Sequence, residues 1–203
     1  MTIIPTSTFA YCETLTSISL PNTITEISDM AFVLCKQLQS ITLPSSLIKI
    51  KLGAFGLCVN LRTITIPNSV TEMDGCFGTC IKLESVIFQA GINLKTLGSS
   101  MFYRCISLNS IVIPAGIETI GTNCFAGTQS LTSITFPDTI TSVASTAFSR
   151  VSVLDYNSPV FAPVSPIQYH NAGLLTLYLS SVSLLSRLGL KKELMTRYTV
   201  LQK

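Results

Sequence analysis

One residue type constrains this chain before its composition is considered. Phenylalanine recurs as Phe9, Phe32, Phe55, Phe77, Phe102, Phe125 and Phe148, with gaps of 23, 23, 22, 25, 23 and 23 residues. A fixed period in this range marks an array of stacked units, each burying its apolar face only against its neighbours. Such an array offers an extended surface rather than one enclosed catalytic pocket.

Laid out on that period, units begin at Leu15, Leu38, Leu61, Leu83, Leu108 and Leu131. They share the pattern L-x-[ST]-[IV]-x-[LIF]-P-x-x-[IVL]-x-x-[IMV]-x-x-x-[ACM]-F-x-x-C. The unit from Leu83 departs most, with Phe88-Gln89 in place of the proline step and two extra residues before Leu97. The opening stretch alternates apolar and polar residues at period two and stops at proline, which cannot donate to a ladder. It predicts one parallel strand per unit, at Leu15–Leu20, Leu38–Leu43, Leu61–Ile66, Leu83–Phe88, Leu108–Ile113 and Leu131–Phe136. The [AC]-Phe-x-x-Cys end predicts a short helical or irregular turn on the opposite, convex side. The expected fold class is therefore an α/β repeat solenoid.

Seven cysteines would ordinarily suggest disulfides or zinc. Here Cys12, Cys35, Cys58, Cys80 and Cys105 share one column, three residues after each Phe, and Thr128 and Val151 hold it in the last two units. A column that accepts Cys, Thr and Val calls for a small buried side chain with, at most, a weak donor to a turn carbonyl. Cys76 and Cys124 fall in the alanine column beside Ala31, Ala54 and Ala147. The single histidine, His170, lies outside the regular units, so no metal set is expected. Reduced thiols fit a reducing compartment.

Through Leu154, eight basic residues face eight acidic ones, and the excess positive charge sits in the tail at Arg187, Lys191, Lys192, Arg197 and Lys203. An array without a basic stripe lacks the footprint of phosphate binding, so nucleic acid is not an expected partner. The units contain no recurring acid/base pair, no nucleophile beside a histidine and no Gly-rich phosphate loop. Catalysis and cofactors are not expected.

The ends differ from the middle. Met1 to Pro5 has no basic region and no apolar run of the kind a signal peptide needs. Ile4-Pro5 reads as the end of a repeat strand followed by a shortened route to Phe9. The chain begins inside a unit without a polar cap, so a longer array, a partner or self-association through the first unit is expected to cover it. After Val153 the pattern fails, dividing the chain into an array over 1–153 and degenerate repeats with a basic capping segment over 154–203. Leu174 to Leu179 restores the strand spacing 20 residues after Leu154, which predicts a degenerate unit followed by a further partial one, two rungs beyond Leu131. Leu174 to Leu190 is apolar, but serines and Arg187 interrupt it, so membrane insertion is disfavoured. Leu184 to Leu201 reads as a basic amphipathic helix.

The unit, with its Pro after the strand and its AFxxC turn, resembles the BspA-like leucine-rich repeats, which have a 23-residue period and occur in bacterial surface antigens and in parasitic protists. Six consecutive units match, from Leu15 to about Val153. The resemblance implies a curved leucine-rich-repeat superhelix and a role in adhesion or host-protein binding at a cell surface, and it carries no catalytic residues. Without a signal peptide, a complete chain of this kind would be cytoplasmic, and an intracellular structural or assembly module is the alternative to an adhesin.

Apolar positions 1, 4 and 6 of each strand point inward, so positions 3 and 5 face out on the concave sheet. They form a hydroxyl ladder interrupted by Ile87 and Val112, with Arg62 at its edge. The protein-binding face expected is Arg62, Thr63, Thr65, Ser85, Ile87, Ser110 and Val112. Exposed Ser and Thr are also simply good strand residues.

Overall fold

The computed structural model describes residues 2–151 and the strand Thr176–Leu179. The turns that begin at Leu61, Leu83, Leu108 and Leu131 each carry two strand segments rather than the expected one. The first, concave ladder contains β4 (Thr63–Ile66), β6 (Ser85–Phe88), β8 (Ser110–Val112), β10 (Ser133–Phe136) and β12 (Thr176–Leu179). The second is built from two-residue strands: β1 (Ile3–Ile4), β2 (Glu26–Ile27), β3 (Lys49–Ile50), β5 (Glu72–Met73), β7 (Thr96–Leu97), β9 (Thr119–Ile120) and β11 (Ser142–Val143). Every pairing is parallel.

Four expectations are corrected. Of the strands expected at Leu15–Leu20 and Leu38–Leu43, only the bridge Ser19↔Thr42 forms. Ile4 does not end a first strand. It lies in the second ladder opposite Ile27, five residues before its Phe, as Ile27 is before Phe32. β12 pairs directly with β10, one rung beyond Leu131 rather than two. Finally, the described residues contain no helix, so the fold is a parallel β-solenoid and not α/β. The expected amphipathic helix over 184–201 lies outside the described residues.

The reason no helix forms around each Phe is visible in the backbone. The residue two after each Phe has positive φ in every turn (Tyr11, Leu34, Leu57, Thr79, Arg104, Gly127 and Arg150), and the residue two before it does so in six of seven. These left-handed residues break any helical run and turn alternate N–H groups toward the next layer. Phe9, Phe32, Phe55, Phe77, Phe102 and Phe125 each donate their N–H to the following layer at 2.7–3.1 Å. The groups a helix would use internally are thus spent between layers.

The phenylalanines then stack. Successive rings from Phe9 to Phe148 lie 4.9–5.9 Å apart, tilted by no more than 21°. That separation follows from the strand spacing of a parallel ladder, about 4.8 Å. Phe32, Phe55, Phe77, Phe102 and Phe125 are completely buried. The cysteine column sits beside this stack. Cys35, Cys58, Cys80 and Cys105 donate their S–H to the carbonyl of the Phe one layer back at 3.1–3.2 Å. Thr128, in the same column, donates instead to Phe125 of its own turn at 2.7 Å. All seven cysteines are free, and only Cys12 is exposed.

A seam crosses the array at the irregular unit. β6 neighbours β8, and β5 neighbours β7, without ladder pairing in either case. The two extra residues lie between Phe88 and Leu97, where the loop can no longer keep both ladders in step. Gly98 packs tightly on Asp74 there, and a Cβ on Gly121 would meet Gly98 C and Ser99 N at 2.9 Å.

Three outcomes follow for stability. In denaturant unfolding, Phe55→Ala should cost about 3–5 kcal/mol, because truncation leaves a hole in a packed stack. Cys58→Ala should cost about 1–2 kcal/mol as a small buried side chain with a weak bond; the reverse order would reveal a missed bridge or metal. Gly121→Ala should destabilise by about 1–3 kcal/mol, since the obstructing atoms are backbone; an unchanged midpoint would mean the seam is slack.

The thiols add a pH dependence. Burial pushes the Cys35 thiol up to about 11 and those of Cys58 and Cys105 up to about 12, from an ordinary value near 9. Burial likewise raises Cys76, Cys80 and Cys124. The folded state keeps protons that the unfolded chain releases. This contribution is complete below about pH 9 and is lost as the pH climbs through the folded values. Unfolding free energy measured from pH 8 to 11 should fall, and Cys105→Ala should flatten that slope. An identical slope in the variant would reject the thiol origin.

Candidate functional site

The concave face follows directly from strand alternation. In β4, Thr63 and Thr65 are exposed while Ile64 and Ile66 are buried. The parallel register places Thr63 opposite Ser85 and Thr65 opposite Ile87. On the far side of the seam, Ser110 lies opposite Ser133 and Val112 opposite Thr135. Six of the seven expected residues therefore alternate outward on three neighbouring strands, and Arg62 lies just before β4. Thr63, Thr65 and Ser110 are exposed and Ser85 is half-buried. Ile87 and Val112 are 53% and 65% exposed, large values for aliphatic side chains on strands. They flank the seam, on the two strands whose ladder is interrupted.

Arg62 is exposed but engaged. Its guanidinium donates to Glu84 of the next layer at 2.6 Å, so the face carries a paired charge at that edge rather than a bare cation. The same device recurs elsewhere: Glu13 pairs Lys36 at 2.7 Å, and Lys95 pairs Glu118 at 2.8 Å. On the second ladder, Glu72 holds both Lys49 and Lys51. The hydrogen bond from Lys51, then that from Lys49, keeps the Glu72 carboxyl below its ordinary range, and the same contact holds Lys51 above its own. These pairs join successive layers; being exposed, each is worth about 0–1 kcal/mol.

A polar recess of about 410 Å³ lies beside that cluster, lined by Glu26, Ser28, Asp29, Lys51, Glu72 and Asp74. Ser28 donates to Glu26 at 3.1 Å, and the recess holds no histidine to act as its base. No group of acidic, histidine or cysteine side chains among the described residues could hold a metal ion. The one histidine, His170, lies outside them. No helix among the described residues is long and apolar enough to cross a membrane. Of the apolar stretch from Leu174 to Leu190, only Thr176–Leu179 is described, and it is a strand.

Sequence reasoning missed one surface. Around the turns of the first three layers, Tyr11, Met30, Leu52 and Leu57 are exposed apolar side chains. Tyr11, Met30 and Leu57 sit at positive φ, where glycine is favoured and where Gly53, Gly75 and Gly127 occupy the matching columns. Apolar side chains two residues either side of Phe are the available signal for Tyr11, Met30 and Leu57.

Comparison with known proteins places this geometry. Six copies of a BspA type leucine-rich repeat region match, over residues 2–125 and 95–161. A leucine-rich repeat protein from Bacteroides ovatus ATCC 8483 is 29% identical with a TM-score of 0.64, over 75% of this chain and 45% of its own. The leucine-rich repeat protein of T. pallidum is 25% identical with a TM-score of 0.58, over 64% of this chain and 69% of its own. A third neighbour, the pneumococcal vaccine antigen PcpA, is 16% identical with a TM-score of 0.58, over 88% of this chain and 56% of its own, and shares the fold alone. No curated protein matches the sequence. With six repeat copies accounting for the stacked turns, the Phe column and the proline-ended strands, the chain belongs to the BspA-type leucine-rich repeat family.

Proposed function

We propose that the array is a non-enzymatic protein-binding scaffold of the adhesion or surface-antigen type, and that it binds through the concave strand face at Arg62, Thr63, Thr65, Ser85, Ile87, Ser110 and Val112. The observation that carries this reading is the exposed pair Ile87 and Val112, set in an otherwise hydroxyl-lined sheet beside the seam. Neither side chain contributes to the core, so neither is explained by folding. Their surroundings are small hydroxyl side chains and the Arg62–Glu84 pair, which suits an extended protein partner rather than a small molecule. Aliphatic anchors ringed by small polar groups are the usual pattern of a modest-affinity interface, and several weak copies could act together. The membership in a repeat family built of interaction scaffolds is consistent with this use.

A second reading, an intracellular assembly module, is favoured by the seven free thiols, six of them away from solvent. Fractionation of native cells separates the two: a protease-accessible outer pool supports the adhesin, and its absence supports the module.

For the face itself, the measurement is binding to solubilised host-cell surface proteins by two groups of variants. Arg62→Ala with Ile87→Ala should weaken binding at least about fivefold, the usual threshold of a contributing anchor. Stability should change by no more than about 1 kcal/mol, because both side chains are exposed. Variants of the convex loops at Lys36, Arg104 and Gln129 should bind normally. Loss confined to that convex group would reject the concave site and leave the solenoid untouched.

A further inference from the structure

The seam differs from the other layer contacts in which backbone bonds it keeps. Elsewhere three columns of N–H groups flank the ladders and reach the layer before. Thr71 donates to Ile48 at 2.9 Å ahead of the second strand, and Gly121 donates to Leu97 at 2.8 Å behind it. Ahead of the concave strand, Glu84 donates to Arg62 at 2.8 Å. At the seam the counterparts are Lys95, Gly98 and Asn109, and among the described residues none of these N–H groups reaches the layer before. Both ladders are unpaired there as well. The third side of the layer, the Phe turn, keeps its bonds. Phe77 donates to Met101 at 3.1 Å, Thr79 donates to Tyr103 at 2.6 Å, and the Cys105 S–H reaches the Phe77 carbonyl at 3.2 Å.

Chain length explains the difference. Met73 stands four residues before Phe77, whereas Ile50 and Leu97 stand five before Phe55 and Phe102. Leu97 then lies fourteen residues after Leu83, whereas Met73 and Ile120 lie twelve after Leu61 and Leu108. This layer is one residue short before its Phe and two long after it, so both ladders fall out of step while the turn stays in register. Phe77 and Phe102 are 5.9 Å apart, the widest gap in the stack. Two layers bonded along one side, and in contact without ladder bonds along the other two, can rotate about the bonded side. We propose that the seam is a hinge whose axis is the Phe77–Phe102 turn. The layers up to Phe88 pivot as one body against those from Leu97 onward. Ile87 and Val112 ride on different bodies, so their separation changes with the angle. The hinge stands whether or not that face is the one that binds.

Distances between paired spin labels test the hinge on the full-length chain in a Cys12→Ser background, the other thiols being buried. Ser45→Cys/Asp138→Cys places labels at the corner that joins the two unbonded sides, and Lys36→Cys/Gln129→Cys places them beside the bonded turn. Each pair crosses the seam and spans the same four layer steps, about 19 Å at the ladder spacing. The corner pair should give a distance distribution about twice as wide as the turn pair, because displacement grows away from a hinge axis. Deleting Ala90 and Gly91 returns Leu83 to Leu97 to twelve residues and should narrow the corner pair to the width of the turn pair. Equal widths in the undeleted chain would overturn the hinge. So would a corner pair that stays wide in the deletion variant while its turn pair is unchanged. Single labels at Ser45 or Asp138 that are looser than those at Lys36 and Gln129 by enough to account for the extra width would overturn it too, since the motion would then belong to the loops. These single-label spectra decide the question even if the deletion variant does not fold.

Discussion

Everything in this structure depends on the hydrogen bonds that tie each turn to the next. The N–H of each Phe through Phe125, and of the residue two beyond it, reaches a carbonyl of the following layer. These bonds fix the separation of the layers at the spacing of a parallel ladder, and the phenylalanines, held at that spacing, have no choice but to stack face on face. The carbonyl of each Phe accepts the N–H three residues on within its own turn, and those of Phe9, Phe32, Phe55 and Phe77 accept in addition the S–H of the next layer's cysteine. The cysteine column is thus a minor set of cross-links between layers, made of hydrogen bonds rather than disulfides.

The same layer-to-layer logic organises the surface. Arg62–Glu84, Lys95–Glu118 and Lys36–Glu13 all join residues 22 or 23 apart, as do the amide and amine contacts running from Lys82 through Asn60 to Gln37. Individually these exposed pairs are weak. Together they engage at least nine of the sixteen charged side chains between residues 2 and 151. Stability in such an array is close to a sum of nearest-neighbour terms, so a defect in one layer is felt mainly by the two beside it.

The seam is where that regularity is relaxed. Two extra residues before Leu97 cost the array its ladder pairing between β5 and β7 and between β6 and β8, yet the Phe stack crosses undisturbed, with Phe77 and Phe102 5.9 Å apart. The core is continuous where the sheet is not. Ile87 and Val112 face outward on the two sides of this interruption, which makes the proposed binding face a consequence of an irregularity in the repeat and not of the repeat itself.

How much of this the residues declare by themselves can be judged from particular positions. The period of Phe and Leu, the proline stop and the alternation in Thr63–Ile66 determined the solenoid, its core columns, and which side chains of the concave face meet solvent. Cysteine, threonine and valine exchanging in one column revealed a small buried site. The turn around Phe did not declare itself, because left-handed backbone at Leu34, Leu57 and Thr79 violates local propensity and is held there by bonds to another layer. The second ladder was hidden for a related reason: two residues such as Glu26-Ile27 are too few to show alternation and become a strand only through their neighbours. The pairing of Arg62 with Glu84 and the interrupted rungs at the seam both depend on which layers touch. A periodic sequence determines the shape of a layer, but only the stacking decides how one layer meets the next.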